Sequence, residues 1–194
     1  GPVVFAANHQ SFMDTPVILA ALPRAMRYRV TTAMAKDFFA PHFHPEGHTR
    51  LARFTNGLNY YLSTALFNAF PLPQREAGAR HALRYAGELI GAGNSLIIFP
   101  EGAISRTNDV LHALLDGVSF IARTAAKKRG RHRPEGKVVV HPVAVKYRFQ
   151  GDLQAALDPV LTEIETRLTW QPHHEVPLVE RIIKVGIALL CVKE

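Results

Sequence analysis

Val3-Val4-Phe5-Ala6-Ala7, followed by Asn8-His9-Gln10-Ser11-Phe12-Met13-Asp14-Thr15-Pro16, sets how the rest of the chain is read. Five consecutive apolar residues, without polar alternation and too few for a helix, fit a short strand buried on both faces. Asn8-His9-Gln10 ends it, and a helix starting between Ser11 and Pro16 runs to about Leu22, where Pro23 stops it. The same strand-then-turn pattern returns at Leu96-Ile97-Ile98-Phe99, which breaks at Pro100-Glu101-Gly102. A third apolar run, Val138 to Tyr147, is interrupted only by His141 and Pro142, and Arg27 to Ala33 alternates weakly as a further strand.

Helical spacing fills the intervals. Leu51, Phe54, Leu58, Tyr61, Leu62 and Ala65 predict a helix over Thr49 to Asn68. Leu83, Ala86, Leu89 and Ile90 predict another from Glu76 to Ile90, closed by Gly91 and Gly93. A stripe through Leu111, Leu114, Leu115, Val118, Ile121 and Ala125 predicts a long helix from Val110 to Lys128. Ala40 to Thr49, rich in Pro, His and Gly, reads as a loop. Buried strands separated by helices define an α/β fold: a largely parallel central sheet flanked by helices. In such sheets ligands sit where strands end at their carboxyl edge, which directs attention to residues 8–14 and 99–106.

The texture changes after Gly151. A polar amphipathic helix over Asp152 to Leu168, a loop with His173-His174, and an apolar helix over Leu178 to Lys193 predict a separate C-terminal helical extension. Residues 1–150 form the first domain and 151–194 the extension, which is expected to continue in a longer parent protein. The chain has 194 residues, enough to bury roughly 70% of its unfolded surface in one core. One cysteine, Cys191, excludes an intramolecular disulfide framework. The formal charge of +7 favours polyanionic contacts: nucleic acid, anionic lipid or phosphorylated small molecules. Much of it lies between Arg123 and Lys137, a run suited to anionic headgroups, to an acidic carrier protein, or simply to the negative end of a helix. The histidines at 42, 44, 48, 173 and 174 lack a carboxylate or cysteine pattern, so no metal site is expected.

His9 at the end of a buried strand, with Asp14 five residues on in the opening turn of a helix, forms a workable dyad. The carboxylate orients one ring nitrogen and the other is left as a general base. The same residues also fit a plain capping role: Ser11-x-x-Asp14 matches a capping box and Asp14 before Thr15-Pro16 an N-cap. At the second turn Glu101 reaches the sheet edge, Gly102 permits a tight turn, and Ser105 with Arg106 offers donors to an anion.

Together and in this order the two motifs resemble the glycerolipid acyltransferase family, which includes lysophosphatidic acid and glycerol-3-phosphate acyltransferases. Asn8, His9 and Asp14 match its Asn-His-x4-Asp block, and Phe99 to Gly102 its Phe-Pro-Glu-Gly block about ninety residues later. Phe70-Pro71-Leu72-Pro73-Gln74-Arg75 stands where an apolar block ending in arginine belongs, and Val140 to Val145 where a Val-Pro-Val-Ala-like strand belongs. The resemblance implies that His9, held by Asp14, takes the proton of a glycerol hydroxyl, which attacks an acyl thioester without a covalent acyl-enzyme. It implies that Lys36, Arg75, Glu101, Gly102, Ser105 and Arg106 bind the acceptor. No bound cofactor is expected; the donor is acyl-coenzyme A or an acyl carrier protein, and the acceptor a lysophospholipid or glycerol phosphate. Partners are then an anionic membrane surface rather than nucleic acid, with peripheral attachment at the cytoplasmic face.

The third block departs from the commonest pattern. Ala103-Ile104-Ser105 precedes Arg106, so an isoleucine replaces one expected phosphate-binding arginine. That points either to a less anionic acceptor or to a phosphate held by other basic residues. The competing reading is a non-catalytic basic module that binds anionic membrane or nucleic acid through residues 123–137. A binding module has no need of an imidazole oriented by a carboxylate at a strand end.

Overall fold

The structure, a computed structural model, describes residues 1–73, 79–105, 110–132, 135–168 and 170–193. The chain folds as two compact units, Gly1–Lys146 and Tyr147–Glu194. The first is built on strands β1 (Val3–Ala7), β2 (Val30–Ala35), β3 (Ala69–Leu72), β4 (Ser95–Ile98) and β5 (Val139–Val143). They form one sheet in the order β3-β2-β4-β1-β5, every pairing parallel. Helices α1 (Asp14–Ala21), α2 (Arg24–Arg27), α3 (Ala40–Phe43), α4 (Arg50–Phe67), α5 (Ala79–Gly91) and α6 (Gly117–His132) supply the crossovers, and a 3-10 turn covers Lys36–Phe39. This is the α/β architecture that the strand–helix alternation predicts.

The strands are buried on both faces because successive side chains feed two cores. Val4, Leu96 and Ile98 point to the face where Ala86 and Ile90 of α5 and Ile121 and Ala125 of α6 pack. Phe5, Ala7 and Ile97 point to the other, with Ile18 of α1. The helices that follow β1 and β4 thus leave adjacent strands toward opposite faces, and a crevice opens between the two strand ends.

Four sequence expectations change. β3 falls where no strand is predicted, and Pro71 lies within it. It is an edge strand, paired only with β2, so a residue without an N–H is tolerated. The run from Val138 becomes β5, five residues long and largely exposed rather than a buried strand; it is the opposite edge, and Pro142 sits in it. Part of the predicted loop at 40–49 is helical, as α3. Finally, α6 starts at Gly117, not Val110. The Leu115 N–H that would bond to the preceding turn instead donates to the Pro100 carbonyl at 2.8 Å, which holds the segment off helical geometry. Leu111, Leu114 and Leu115 are consequently exposed.

The second unit packs α7 (Leu153–Arg167) against α8 (Leu178–Lys193). Asp152 caps α7, accepting from the Gln154 and Ala155 N–H groups. Between the helices Arg181, 3% exposed, donates to both oxygens of the buried Glu165 at 2.9 and 2.7 Å, and to Asp158 and Thr162. Those guanidinium bonds hold the Glu165 carboxyl below the usual carboxylate range against the opposing effect of burial. Arg181 and then His174 do the same for Asp158. No helix among the described residues is long and apolar enough to cross a membrane.

Candidate active site

At the carboxyl end of β1 the chain turns sharply around one carboxylate. Asp14 is the first residue of α1, and Met13, not Asp14, occupies the cap position without a side-chain bond. Asp14 is therefore not the N-cap, while its bond to the Ser11 N–H is the reach-back half of the capping box. Asp14 Oδ2 turns back into the loop and accepts from the Gln10 and Ser11 N–H groups at 2.7 and 3.0 Å and from His9 Nδ1 at 2.8 Å. Asp14 is fully buried, while the His9 side chain keeps 19% exposure. The acceptor-only carboxylate fixes the proton on Nδ1, which leaves Nε2 as an acceptor. Phe99 stacks on the imidazole, centroids 4.1 Å apart, and sets the plane of the ring.

The neighbouring turn grips the same residue from the other side. Phe99 to Gly102 form a tight turn closed by the Gly102 N–H on the Phe99 carbonyl, with Gly102 at φ +72°, a conformation that favours glycine. Glu101 Oε1 accepts the His9 backbone N–H at 3.1 Å, and the Ser105 N–H donates to the His9 carbonyl at 2.6 Å. The Ser105 hydroxyl, buried, pairs with His112 Nε2 at 3.0 Å. Asn8 ties the loop to the strip after β5: its Nδ2 donates to the Val145 carbonyl at 2.9 Å and its Oδ1 accepts the Val145 N–H at 2.6 Å. His9 is thus held through its ring, its N–H and its carbonyl.

His9 opens onto a cavity of about 380 Å³, walled by β2 and β4 on one side and α4 on another. Phe12, Met34, Phe38, Phe67, Leu72 and Ile104 make its lining largely apolar, and Thr15, Asn59 and Ser63 add uncharged polar groups. Ile104, the residue in place of the expected arginine, is one of these walls.

Of the eight residues expected at the site, the fold gathers His9, Asp14, Glu101, Gly102 and Ser105 around one point. Lys36 stands at the carboxyl end of β2, on the same edge of the sheet, in the 3-10 turn. Arg75 and Arg106 lie outside the described residues, as does Arg133 of the basic run. Phe99, Asn59, Ser63 and the Asn8 clamp are not in the sequence-derived set. Phe99 and Asn8 lie inside the two motifs; Asn59 and Ser63 are two of several polar residues of α4, and nothing in their spacing marks them. Among the histidines, His42 stacks on Tyr60 and His174 pairs with Asp158.

A family model described as Acyltransferase matches residues 1–146, the whole of the first unit. The chain belongs to the acyltransferase family. No curated protein and no solved structure matches it.

Proposed function

We propose that the first unit transfers a fatty acyl group from an acyl thioester to a glycerol hydroxyl of a lysophospholipid, lysophosphatidic acid among them. The observation that carries this reading is the His9 imidazole, anchored through Nδ1 to a buried carboxylate and opening onto an apolar cavity at the carboxyl edge of a parallel sheet. The free Nε2 takes the hydroxyl proton as the oxygen attacks the thioester carbonyl. Asp14 stabilises the imidazolium that results and is not itself protonated. The tetrahedral intermediate collapses, the C–S bond breaks, and the thiolate leaves with the proton returned from His9. No acyl-enzyme forms.

Glu101 and Ser105 act in this scheme through the His9 backbone, keeping the ring in line. Arg75, Arg106 and Lys36 supply charge for an acceptor phosphate, arginine forks being well matched to such a dianion. The apolar cavity suits the acyl chain, and the donor is acyl-coenzyme A or acyl carrier protein. The protein works at the cytoplasmic surface of an anionic membrane.

The test is thiol release from a long-chain acyl-coenzyme A in the presence of lysophosphatidic acid, with wild type and His9→Ala compared. Loss of about 10²–10⁴ in rate is expected for the variant. Equal rates in the two would show that His9 is not the base.

A further inference from the structure

The helix that walls one side of the His9 cavity carries its apolar residues on the side a core helix would leave polar. In α4 the buried residue is Ser63. Leu51, Phe54, Leu58, Tyr61, Leu62 and Leu66 are between 47% and 73% exposed. At 3.6 residues per turn these six make one continuous stripe. It is distinct from the side of α4 that carries Asn59, Ser63 and Phe67 into the cavity. A stripe of this size in water signals an apolar partner.

We propose that this stripe docks α4 into the headgroup–acyl boundary of an anionic bilayer and so holds the mouth of the His9 cavity at lipid level. The proposal rests on the acyl-transfer reading of that cavity. Continuity and charge select the bilayer over other occupants. A relay of ring contacts runs from the cavity mouth to the stripe: Phe12 meets Phe38, Phe38 meets Phe39, Phe39 meets Tyr60, and Tyr60 meets Tyr61. Phe12 at the cavity end is itself 72% exposed. Phe38, next in the relay and 44% exposed, lines the cavity too, so exposed apolar surface is found both on the stripe and at the site where a lipid acceptor must enter. The helix contains no acidic residue, and its exposed arginines, Arg50 and Arg53, sit at its first turn. Leucine and aromatic residues on one face with arginine beside them match a helix that lies in the interfacial plane.

The test is co-sedimentation of the full chain with vesicles of equal parts phosphatidylcholine and phosphatidylglycerol, at low and high salt. The comparison is the combined variant Leu51→Gln, Phe54→Gln, Leu58→Gln and Leu66→Gln. Glutamine keeps helix propensity and the four side chains are exposed, so the melting temperature stays at the wild-type value. The variant is expected to bind vesicles about a hundredfold more weakly, and wild-type binding is expected to survive high salt in large part. Equal binding of the two proteins would overturn the proposal. So would wild-type binding that salt abolishes and the substitutions do not touch, since the run from Arg123 to Lys137 would then be the attachment. A wild-type dimer that the substitutions turn into a monomer, with vesicle binding unchanged, would assign the stripe to a second copy and also overturn it. Should the combined variant not fold, Phe54→Trp replaces it: its emission must shift to the blue on vesicle addition beyond the change from Trp170 alone, and no shift refutes docking.

His9→Ala is expected to bind vesicles as wild type does, and the glutamine variant to keep wild-type turnover on short-chain, water-soluble substrates. Vesicle binding without any turnover on such substrates would count against the acyl-transfer reading while docking stood.

Discussion

Replacing Asp14 with asparagine removes one charge and leaves every heavy atom of the side chain in its place. In the native loop a single oxygen serves the His9 ring and two backbone N–H groups. The backbone donors are fixed, so the amide must turn its carbonyl oxygen toward them, and the loop keeps its shape. What disappears is the attraction between the carboxylate and the imidazolium that exists only once His9 has taken a proton. At the observed 2.8 Å separation and an effective dielectric of about 20, that attraction is about 6 kcal/mol. Water reaching the partly exposed ring screens some of it, and the neutral amide still accepts a hydrogen bond. A loss of about 3–5 kcal/mol remains, or a fall in kcat of about 10²–10⁴. KM and melting temperature are expected to change little, because the amide oxygen keeps both backbone bonds and the buried side chain does not face the cavity. Asp14→Ala is the contrast: it orphans two backbone N–H groups and the ring N–H, so both kcat and melting temperature fall. The readout is thiol release under saturating donor and acceptor, with a thermal melt in parallel. An asparagine variant that keeps more than a tenth of wild-type kcat would refute the claim that Asp14 acts by stabilising the imidazolium.

Further substitutions probe the frame of each unit. Asn8→Ala removes both bonds to Val145 and is expected to destabilise the first unit by about 1–3 kcal/mol in a denaturant titration. Gly87→Ala puts a Cβ 2.8 Å from Thr124 Cβ and Cγ2 where α5 and α6 cross, at a cost of about 1–3 kcal/mol; Gly130→Ala meets nothing within 4 Å and is expected to stabilise α6 by about 0.5–1 kcal/mol, both read from thermal melts. Arg181→Met strands the buried Glu165 carboxylate and is expected to cost the second unit about 3–5 kcal/mol, followed through the single tryptophan, Trp170, with most of the loss recovered by adding Glu165→Leu. In the wild type the Glu165 carboxyl is held below its ordinary range, so its stabilisation is complete above that range and is lost as pH falls through the lowered value; Trp170 emission should report acid unfolding that the doubly apolar variant delays.

Much of this was readable before the fold was known, for reasons that differ by element. β1 and β4 are central strands, and both of their faces are buried, so their sequences are unbroken apolar runs that admit one reading. Of the edge strands, β3 with its proline escapes that reading, while β5 is legible as a strand but not in its length or its exposure. Helical spacing located α4 correctly, yet spacing carries no information about which way a stripe faces; only the fold shows that Leu51 to Leu66 point away from the core. The start of α6 was misplaced because a long-range bond, Leu115 to Pro100, overrides a local pattern. At the site, His9 and Asp14 were legible because five residues of spacing and one turn bring them together. The grip of Glu101 and Ser105 on the His9 backbone was not, since both act through main-chain groups that no residue type announces.

The two bonds between Asn8 and Val145 join positions 137 residues apart, and this orders events in time. At a synthesis rate of 5–20 residues per second, the loop that carries His9 waits about 7–27 s for Val145 to be made. β1 lacks β4 until Ile98 has been made and β5 until Val143 has, and pairings so distant along the chain close slowly. The His9 loop is therefore translated well before the residue that clamps it. A chain arrested before Val145 carries the His9 and Asp14 side chains but not the Asn8 clamp that ties their loop to the strip after β5.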